Sequence, residues 1–364
     1  MNLAVANILQ HKIRSLICIL AVCLGITLLL ILVGMVNGSI NEVAKRIQNV
    51  GGDMIVQQAG ATSFFALKSG VLPMKLLEAI REIPRVQAVS PVLTWTVTFR
   101  NQFYVVYGIE PRQFSSIGGE LKIIQGRHLQ NAGELVIDSR MAAATGISVG
   151  ETIDLLASKF TVVGIAKEGI GARIFLLLTE LQSLLQQQDK VSMFFVKSTS
   201  PQYIKEVAED IEERVKGVKC QLLENFADEM TRSMVGLKEF MAAVTVTTLA
   251  ISFLVILLAM YTTIMERTRE IGILKSMGAS NLFVVKSILS ESTLLSIGGV
   301  ITGYLLTFSA KYYLNRIYPL LTVEITFYWV LVGTFLGIAA GILGAFYPAL
   351  IAARQDPVRA LNYE

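Results

Sequence analysis

The stretch Leu16–Val36 reads LICILAVCLGITLLLILVGMV and holds no charged side chain. A membrane-spanning helix needs about 20 mostly apolar residues, so this run is long enough to cross a bilayer. Lys12 and Arg14 precede it as basic residues precede a secretory leader. Its length exceeds a leader's apolar region and no small-x-small cleavage site follows, so the sequence predicts a retained span. Three further runs qualify: Phe240–Ile264, Leu282–Ala310 and Tyr328–Ala353. Residues 37–239 between the first and second runs have ordinary globular composition. The 364-residue chain is 53% hydrophobic and 16% charged, against about 25% charged in an average soluble protein. A purely soluble enzyme is excluded, and the plan is four spans with one large water-facing insertion.

The net charge of +4 is small and its basic residues form no long run, which argues against a nucleic-acid partner. Cys18 and Cys23 lie in the first apolar run and Cys220 stands apart in the polar region, so no disulfide framework or zinc spacing is present. His11 and His128 are the sole histidines, too few for a site built on His and Cys. Lys and Arg near span ends set orientation. Lys12 and Arg14 precede span one, Arg267, Arg269 and Lys275 lie between spans two and three, and Arg354 and Arg359 follow span four. Both termini and the 265–281 loop are expected in the cytoplasm, with 37–239 outside. In a bacterium this is a multi-pass protein of the cytoplasmic (inner) membrane.

Helical spacing continues past span one at Ile40, Val43, Ala44, Ile47 and Val50. On the return side Phe226, Met230, Val235, Leu237 and Met241 form a second stripe. The pair predicts a helical stalk. Between these stripes the chain reads as α+β. Asp53–Gln58, Met74–Ile83 and Val86–Phe99, the last interrupted by Pro91, form one β-α-β unit over 53–99. Val191–Lys197, Gln202–Lys216 and Val218–Leu223 form a second over 191–223, with Ser200 and Pro201 placed as N-cap and N1. The two units suit one four-stranded sheet with two helices on a face. Residues 104–185 predict a β-rich insertion, with strands at Phe103–Ile109, Glu134–Ile137, Thr152–Leu156 and Phe160–Ile165. Phe64 and Phe65, between Gly60 and Gly70, suit either a buried turn or an apolar contact for an adaptor or lipid.

Two chemistries are missing. Gly146-Ile147-Ser148-Val149-Gly150 matches G-x-S-x-G, but that nucleophile elbow needs a strand before it and a helix after it. Here a helical stretch precedes and a strand follows, and no histidine lies downstream to act as base. The sequence also lacks G-x-x-x-x-G-K-[ST], whose amides cradle phosphate. Any ATP and Mg would be bound by a partner, and the chain itself carries no catalytic, cofactor or metal site. Secondary transport fits poorly, since four spans show no repeat of discontinuous helices.

Within the spans, Gly299 and Gly303 in span three and Gly333, Gly337 and Gly341 in span four recur at four-residue intervals. Small residues on one face let helices approach closely, so these spans are expected to pack on each other or on a second subunit. Glu291 lies deep in span three, where a charge is costly. It suits an interhelical hydrogen bond better than a transport role. The loop between spans two and three runs Glu266-Arg267-Thr268-Arg269-Glu270-Ile271-Gly272-Ile273-Leu274-Lys275-Ser276-Met277-Gly278-Ala279-Ser280. Charges alternate at helical spacing, Ile271, Leu274 and Met277 offer an apolar edge, Gly278 can end the helix and Ser280 can cap the next. That edge suits lipid or a groove on a partner equally well.

Residues 266–280 resemble the E-R-x-x-E-I-G-x-x-[KR]-[AS]-[ILM]-G-A-S stretch of the FtsX-like, or MacB-type, ABC transporter permeases, the type VII or mechanotransmission family. Gly344–Ala349 and Ala352–Leu361 resemble that family's G-x-x-P-A-x-x-A-A-x-x-x-P-x-x-A-L ending. Leu9–Ser15 with Leu24-Gly25-Ile26 is similar to its amphipathic leading helix and first span, and Arg81–Val92 to a run in its outer domain. The resemblance implies that Glu266, Arg267, Arg269, Glu270, Ile271, Gly272, Leu274, Lys275, Met277 and Gly278 form a coupling helix that docks on an ABC ATPase subunit. It implies a leading helix over 1–15, spans at 16–36, 240–264, 282–310 and 328–353, a short external loop at 311–327 and a cytoplasmic tail at 354–364. Asp356 and Pro357 would start a short tail helix over Val358–Leu361. Span one begins close to Met1, so the comparison is with members encoded as separate permease subunits. Four spans imply a homodimer, or a heterodimer with a homologue. The expected function is ATP-driven extrusion of peptides, antibiotics, lipids or lipoproteins from the outer side, with a periplasmic adaptor and outer-membrane channel as further partners. A relay that activates an extracellular cell-wall hydrolase is the second reading, and an outer-domain receptor without an ATPase the third.

Overall fold

The computed structural model describes residues 12–60, 70–233 and 235–355. The expected leading helix up to residue 11, the Phe64–Phe65 turn and the Asp356 cap with its tail helix lie outside these residues. The side chains of Val235 and Leu237 lie outside them too. Two compact units emerge. The first comprises the described residues up to Gly38, Gly236–Ile317 and those from Leu321 onward, and the second comprises Ser39–Val235 with Tyr318–Leu320.

The first unit contains four long apolar helices. Helix α1, Lys12–Gln48, runs without a break through Gly38, well past the apolar run that starts it. At 1.5 Å per residue it is about 55 Å long, against about 30 Å for the hydrocarbon core. The remaining three are Val235–Glu266, Asn281–Ile317 and Phe327–Arg354. Each extends beyond the apolar core that marks it in the sequence, because helix continues wherever neighbouring residues tolerate it. Buried hydroxyls tie the helices together. Ser292 Oγ donates to the Gly341 carbonyl (2.7 Å), Tyr304 to that of Val330 (2.7 Å) and Ser252 to that of Ala21 (3.2 Å).

The second unit is built on one sheet. Its strands are β1 (Met54–Gln58), β3 (Val86–Phe99), β4 (Gln102–Ile109), β5 (Ile123–Gly126), β6 (Glu134–Asp138), β7 (Thr152–Leu155), β8 (Ser158–Ala166), β9 (Ile174–Leu177), β11 (Met193–Ser198) and β12 (Val218–Leu222). The order is β12-β1-β11-β3-β4-β9-β6-β8-β5, with β7 on β8. A small separate pair, β2 (Leu72–Pro73) and β10 (Lys190–Val191), runs antiparallel. The first four strands are those of the two β-α-β units, paired antiparallel, and the insertion joins the same sheet through the β3–β4 hairpin. Helices α2 (Leu76–Arg81) and α6 (Ile204–Arg214) bury Leu77, Ile80, Val207 and Ile211 in a core with Met54, Val56 and Phe194. Successive side chains alternate across a sheet, so Ile55 and Phe195 lie on the opposite face and are also buried. Phe175 packs edge-on against Tyr107 there and at a tilt on Phe114 of helix α3 (Pro111–Ser116).

Pro91 does not interrupt β3. The Val92 carbonyl accepts from Ser192 N (2.9 Å), so the Pro91 backbone faces the other edge, and pairing with β4 starts only at Val92. The missing N–H falls where no ladder bond is made. Gln202–Lys216 is likewise modified: a 3-10 turn over Pro201–Tyr203 precedes α6, and Ser200 makes no side-chain cap. The G-x-S-x-G match is a turn. Helix α4 (Ser139–Thr145) ends at left-handed Gly146 (φ 72°), and β7 follows Gly150.

The far end of α1 is received within the second unit by buried ions. Arg46 donates to the carbonyls of Gly171 (2.9 Å) and Ala172 (2.6 Å) and to Asp138 Oδ2 (3.0 Å). Arg173 also reaches Asp138 Oδ2 (3.3 Å) and pairs with Glu42, which Arg140 contacts at 3.1 Å. Asp138 Oδ1 caps α4 by accepting from Met141 N at 2.7 Å. The Gly171 N–H returns to the Arg46 carbonyl (2.8 Å), and a Cβ at Gly171 would meet Tyr107 at 2.9 Å. Elsewhere, Arg127 grips Glu134 through both carboxylate oxygens (2.6 and 2.8 Å), and Asn131 and Gln130 add three more donors.

Asp138 is 1% exposed and neutralises two arginines. Asp138→Ala is expected to cost about 3–5 kcal/mol in unfolding of the full chain, since it strands buried cations. Asp138→Asn, which keeps the helix cap, is expected to cost less, and denaturant titration reads both. The Arg127 hydrogen bonds hold the Glu134 carboxyl well below the usual carboxylate range. A depressed carboxylate adds stability above its unfolded value, near 4.5, and that stability is lost as pH falls through the folded value. Melting of the wild-type chain below pH 4.5 is therefore expected to show an acid-dependent loss that Glu134→Gln flattens.

Candidate coupling site

The segment between the second and third long helices, here α8 (Val235–Glu266) and α10 (Asn281–Ile317), folds into a short helix, α9 (Thr268–Ser276). A nine-residue helix is marginal alone, so its stability comes from what it rests on. Ile271, 9% exposed, packs with Ile264, Val284, Ala352 and Ala353, which brings together α8, α9, α10 and the end of α11 (Phe327–Arg354). Thr268 and Gly272 are buried beside it. Lys275 turns inward as well: its Nζ donates to the carbonyls of Ala353 and Gln355, both at 2.7 Å. These are orphan carbonyls at the end of α11, where a cation is favoured by the helix dipole.

The opposite side of α9 is open. Glu266, Arg269, Glu270, Ile273 and Gly278 are exposed, and Met277 is 71% exposed. Arg267 folds back onto Glu270 (2.8 Å). Gly278, at φ 95°, ends the helix, and Ser280 Oγ accepts from Phe283 N (3.2 Å) to start α10. The apolar edge Ile271–Leu274–Met277 is therefore split: Ile271 is inside, Leu274 half-buried and Met277 outside. Steps of three residues fall about 60° short of a full turn, so two steps carry the edge from one face to the other.

Glu291, 2% exposed, accepts from Arg14 (2.5 Å) and lies 3.7 Å from Arg267. Arg14 also donates to Thr263 on α8. Arg14 and Thr263 were not legible as site residues. The available signal was that a buried carboxylate needs a cation at its own depth, and Lys12, Arg14, Arg267 and Lys286 all competed for that place.

The glycines take different partners. A Cβ at Gly299 would meet Val22 at 2.6 Å, and one at Gly303 would meet the Cys23 carbonyl at 3.1 Å, so both face α1 rather than span four. Gly337 meets Ile26 at 2.9 Å. Gly341 sits at the tightest glycine contact between spans three and four, since a Cβ there would fall 1.8 Å from Ser296 Oγ. Gly333 has its nearest atom at 3.9 Å. Among the described residues no group of His, Cys, Asp and Glu could hold a metal ion.

Four apolar helices, an α/β domain between the first and second, and an amphipathic helix seated at one end define a transporter-type permease. The family model for the MacB-like periplasmic core domain matches residues 15–214, and the one for the FtsX-like permease C-terminal region matches 242–357. The chain belongs to the MacB/FtsX-like ABC transporter permeases. It is 24% identical over 403 residues to the macrolide export ATP-binding/permease protein MacB of Campylobacter jejuni, covering 100% of this chain and 61% of that protein. It thus spans about three fifths of that relative's length. It is 22% identical over 405 residues to the uncharacterized ABC transporter permease YvrN of Bacillus subtilis, covering 98% of both. Similar solved structures include the periplasmic region of MacB from Actinobacillus actinomycetemcomitans (TM-score 0.39, 16% identity, 51% of this chain and 96% of that one). The extracellular domain of the transporter YknZ from Gram-positive bacteria is another (TM-score 0.37, 12% identity, 46% and 98%).

Gly341→Val is expected to force spans three and four apart, lowering the melting temperature of the detergent-solubilised chain by several degrees, because the new methyls overlap Ser296. Gly333→Ala is expected to leave it unchanged. Equal melting of the two variants would contradict the packing at Gly341.

Proposed function

We propose that this chain is the membrane permease of an ATP-driven machine and that the outward side of α9 is where an ABC ATPase subunit docks. The observation that carries this reading is the two-sided seating of α9. Ile271 and Lys275 anchor it to three long helices, while Ile273, Met277, Arg269 and Glu270 face outward. A partner that moves α9 moves its seat with it. The basic residues Lys12, Arg14, Arg269, Lys275 and Arg354 support a cytoplasmic placing of this end in the bacterial inner membrane. Exposed Val246, Ile251, Leu254 and Leu258 on α8 support a second permease copy or homologue beside it.

ATP-driven closure of the ATPases would then drive the extracytoplasmic domain, extruding peptides, antibiotics, lipids or lipoproteins from the outer side, with an adaptor and outer-membrane channel where the envelope has two membranes. The test is to purify the tagged full chain in mild detergent from its host and identify what accompanies it by mass spectrometry. One ATPase subunit per permease is expected, with a yield at least tenfold lower from an Ile273→Asp, Met277→Asp variant that still inserts normally. If no protein with a nucleotide-binding motif crosslinks to residues 266–278, the docking assignment is wrong.

A further inference from the structure

We propose that Glu291 is the positioning residue that joins the coupling helix to the first span, so that a push on α9 reaches α1 through one buried carboxylate. The inference rests on the permease reading above and specifies how its motion is passed on.

Glu291 lies on α10 about 15 Å from that helix's start, at 1.5 Å per residue. Each of its oxygens faces an arginine from a different element. Oε1 accepts from Arg14 of α1 at 2.5 Å, and Oε2 lies 3.7 Å from Arg267 at the α8–α9 junction. Arg14 extends the group to α8 through Thr263, whose hydroxyl donates to the Ala259 carbonyl (2.6 Å). Arg267 extends it to α9, because its Nε holds Glu270 at 2.8 Å. Four elements thus meet at one carboxylate.

A charge buried among apolar helices is tolerated only while it is paired. If α9 shifted while α1 stayed, Glu291, itself 3% exposed at its side chain, would have to release one of its arginines, so the elements are constrained to move together. Lys275 supplies a separate tie from α9 to α11, and it leaves α1 untouched. Arg14 Nε is buried with no partner among the described residues, so Arg14 is held mainly by its carboxylate and hydroxyl contacts. Among these groups Glu291 alone touches both the first span and the junction of the coupling helix.

The test places nitroxide labels at Lys12→Cys and Ser276→Cys, both exposed, in a chain carrying Cys18→Ala, Cys23→Ala and Cys220→Ala. The labelled chain is diluted with unlabelled chain in nanodiscs, and the distance distribution is read by pulsed electron resonance. For the permease alone, a narrow distribution is expected with Glu291 and with the charge-keeping Glu291→Asp, and one at least twofold wider with Glu291→Gln and Arg14→Gln. Equal widths would overturn the proposal. With its ATPase bound, adding ATP is expected to leave the wild-type distance unchanged and to shift it in Glu291→Gln, at ATPase affinities within twofold of each other. A wild-type distance that shifts as far as the variant's, or an affinity that falls in step with the widening, would also overturn it. A wild-type chain that binds no ATPase would sink the permease reading alone, because the widths measured without ATPase still decide whether Glu291 joins the two elements.

Discussion

One helix carries an arginine near each end, Arg46 buried and Arg14 half-buried, and the structure hangs on how those two charges are neutralised. Arg14, two residues into α1, is held by Glu291 in the membrane unit. Arg46, two residues before its end, is held by Asp138 in the α/β domain. A guanidinium stays ionised at any ordinary pH, so burial obliges each site to supply a carboxylate and to satisfy the remaining donors. The far site does so with the Gly171 and Ala172 carbonyls, whereas the near site adds Thr263 and leaves Arg14 Nε without a partner among the described residues. Slippage at either end would strand a charge. Apolar contacts would permit sliding at little cost, whereas paired ions fix register at each site.

The α/β domain shows the same economy of connection. Two β-α-β units alone would make a four-stranded sheet with one bare edge at β3. The fourteen residues of β3 use their first half against β11 and their second half against β4, so the insertion grows from that edge instead of forming a separate lobe. Asp138, which holds Arg46 of α1, is the last residue of β6, and both β8 and β9 are hydrogen-bonded neighbours of that strand.

Much of this was legible in the sequence, for physical reasons that differ by element. The four apolar helices announced themselves through length and scarcity of charge, and the strands at 54–58, 134–138 and 218–222 through bounded alternation or short apolar runs. Strand β9 did not, because Ile174–Leu177 runs without a polar break into Leu178, the first residue of helix α5 (Leu178–Leu184), and such a short apolar run has no period to read. Pro91 suggested an interruption because sequence does not show which edge a residue's N–H faces. At the candidate site the individual residues could be named but their facing could not. Lys275 looks like a solvent cation until the α11 carbonyls are in place, and Glu291 like an isolated acid until two distant arginines converge on it. Pairings of residues 277 and 24 positions apart carry no local pattern.

The placing of Lys275 also bears on how α9 can act at all. An amphipathic helix lying loosely on a membrane would absorb a partner's push by rolling, since one apolar stripe allows rotation about the helix axis. Here rotation is opposed on two sides: Ile271 is fitted among Ile264, Val284 and Ala352, and Lys275 bonds the last carbonyls of α11 one turn further on. Rolling in either direction would open one contact or the other. The residues left outside, Ile273 and Met277, lie one turn apart on a surface whose orientation is therefore set by the three helices beneath it. A surface held that rigidly cannot roll independently of the helices beneath it, because Ile271 and Lys275 fix it from two sides.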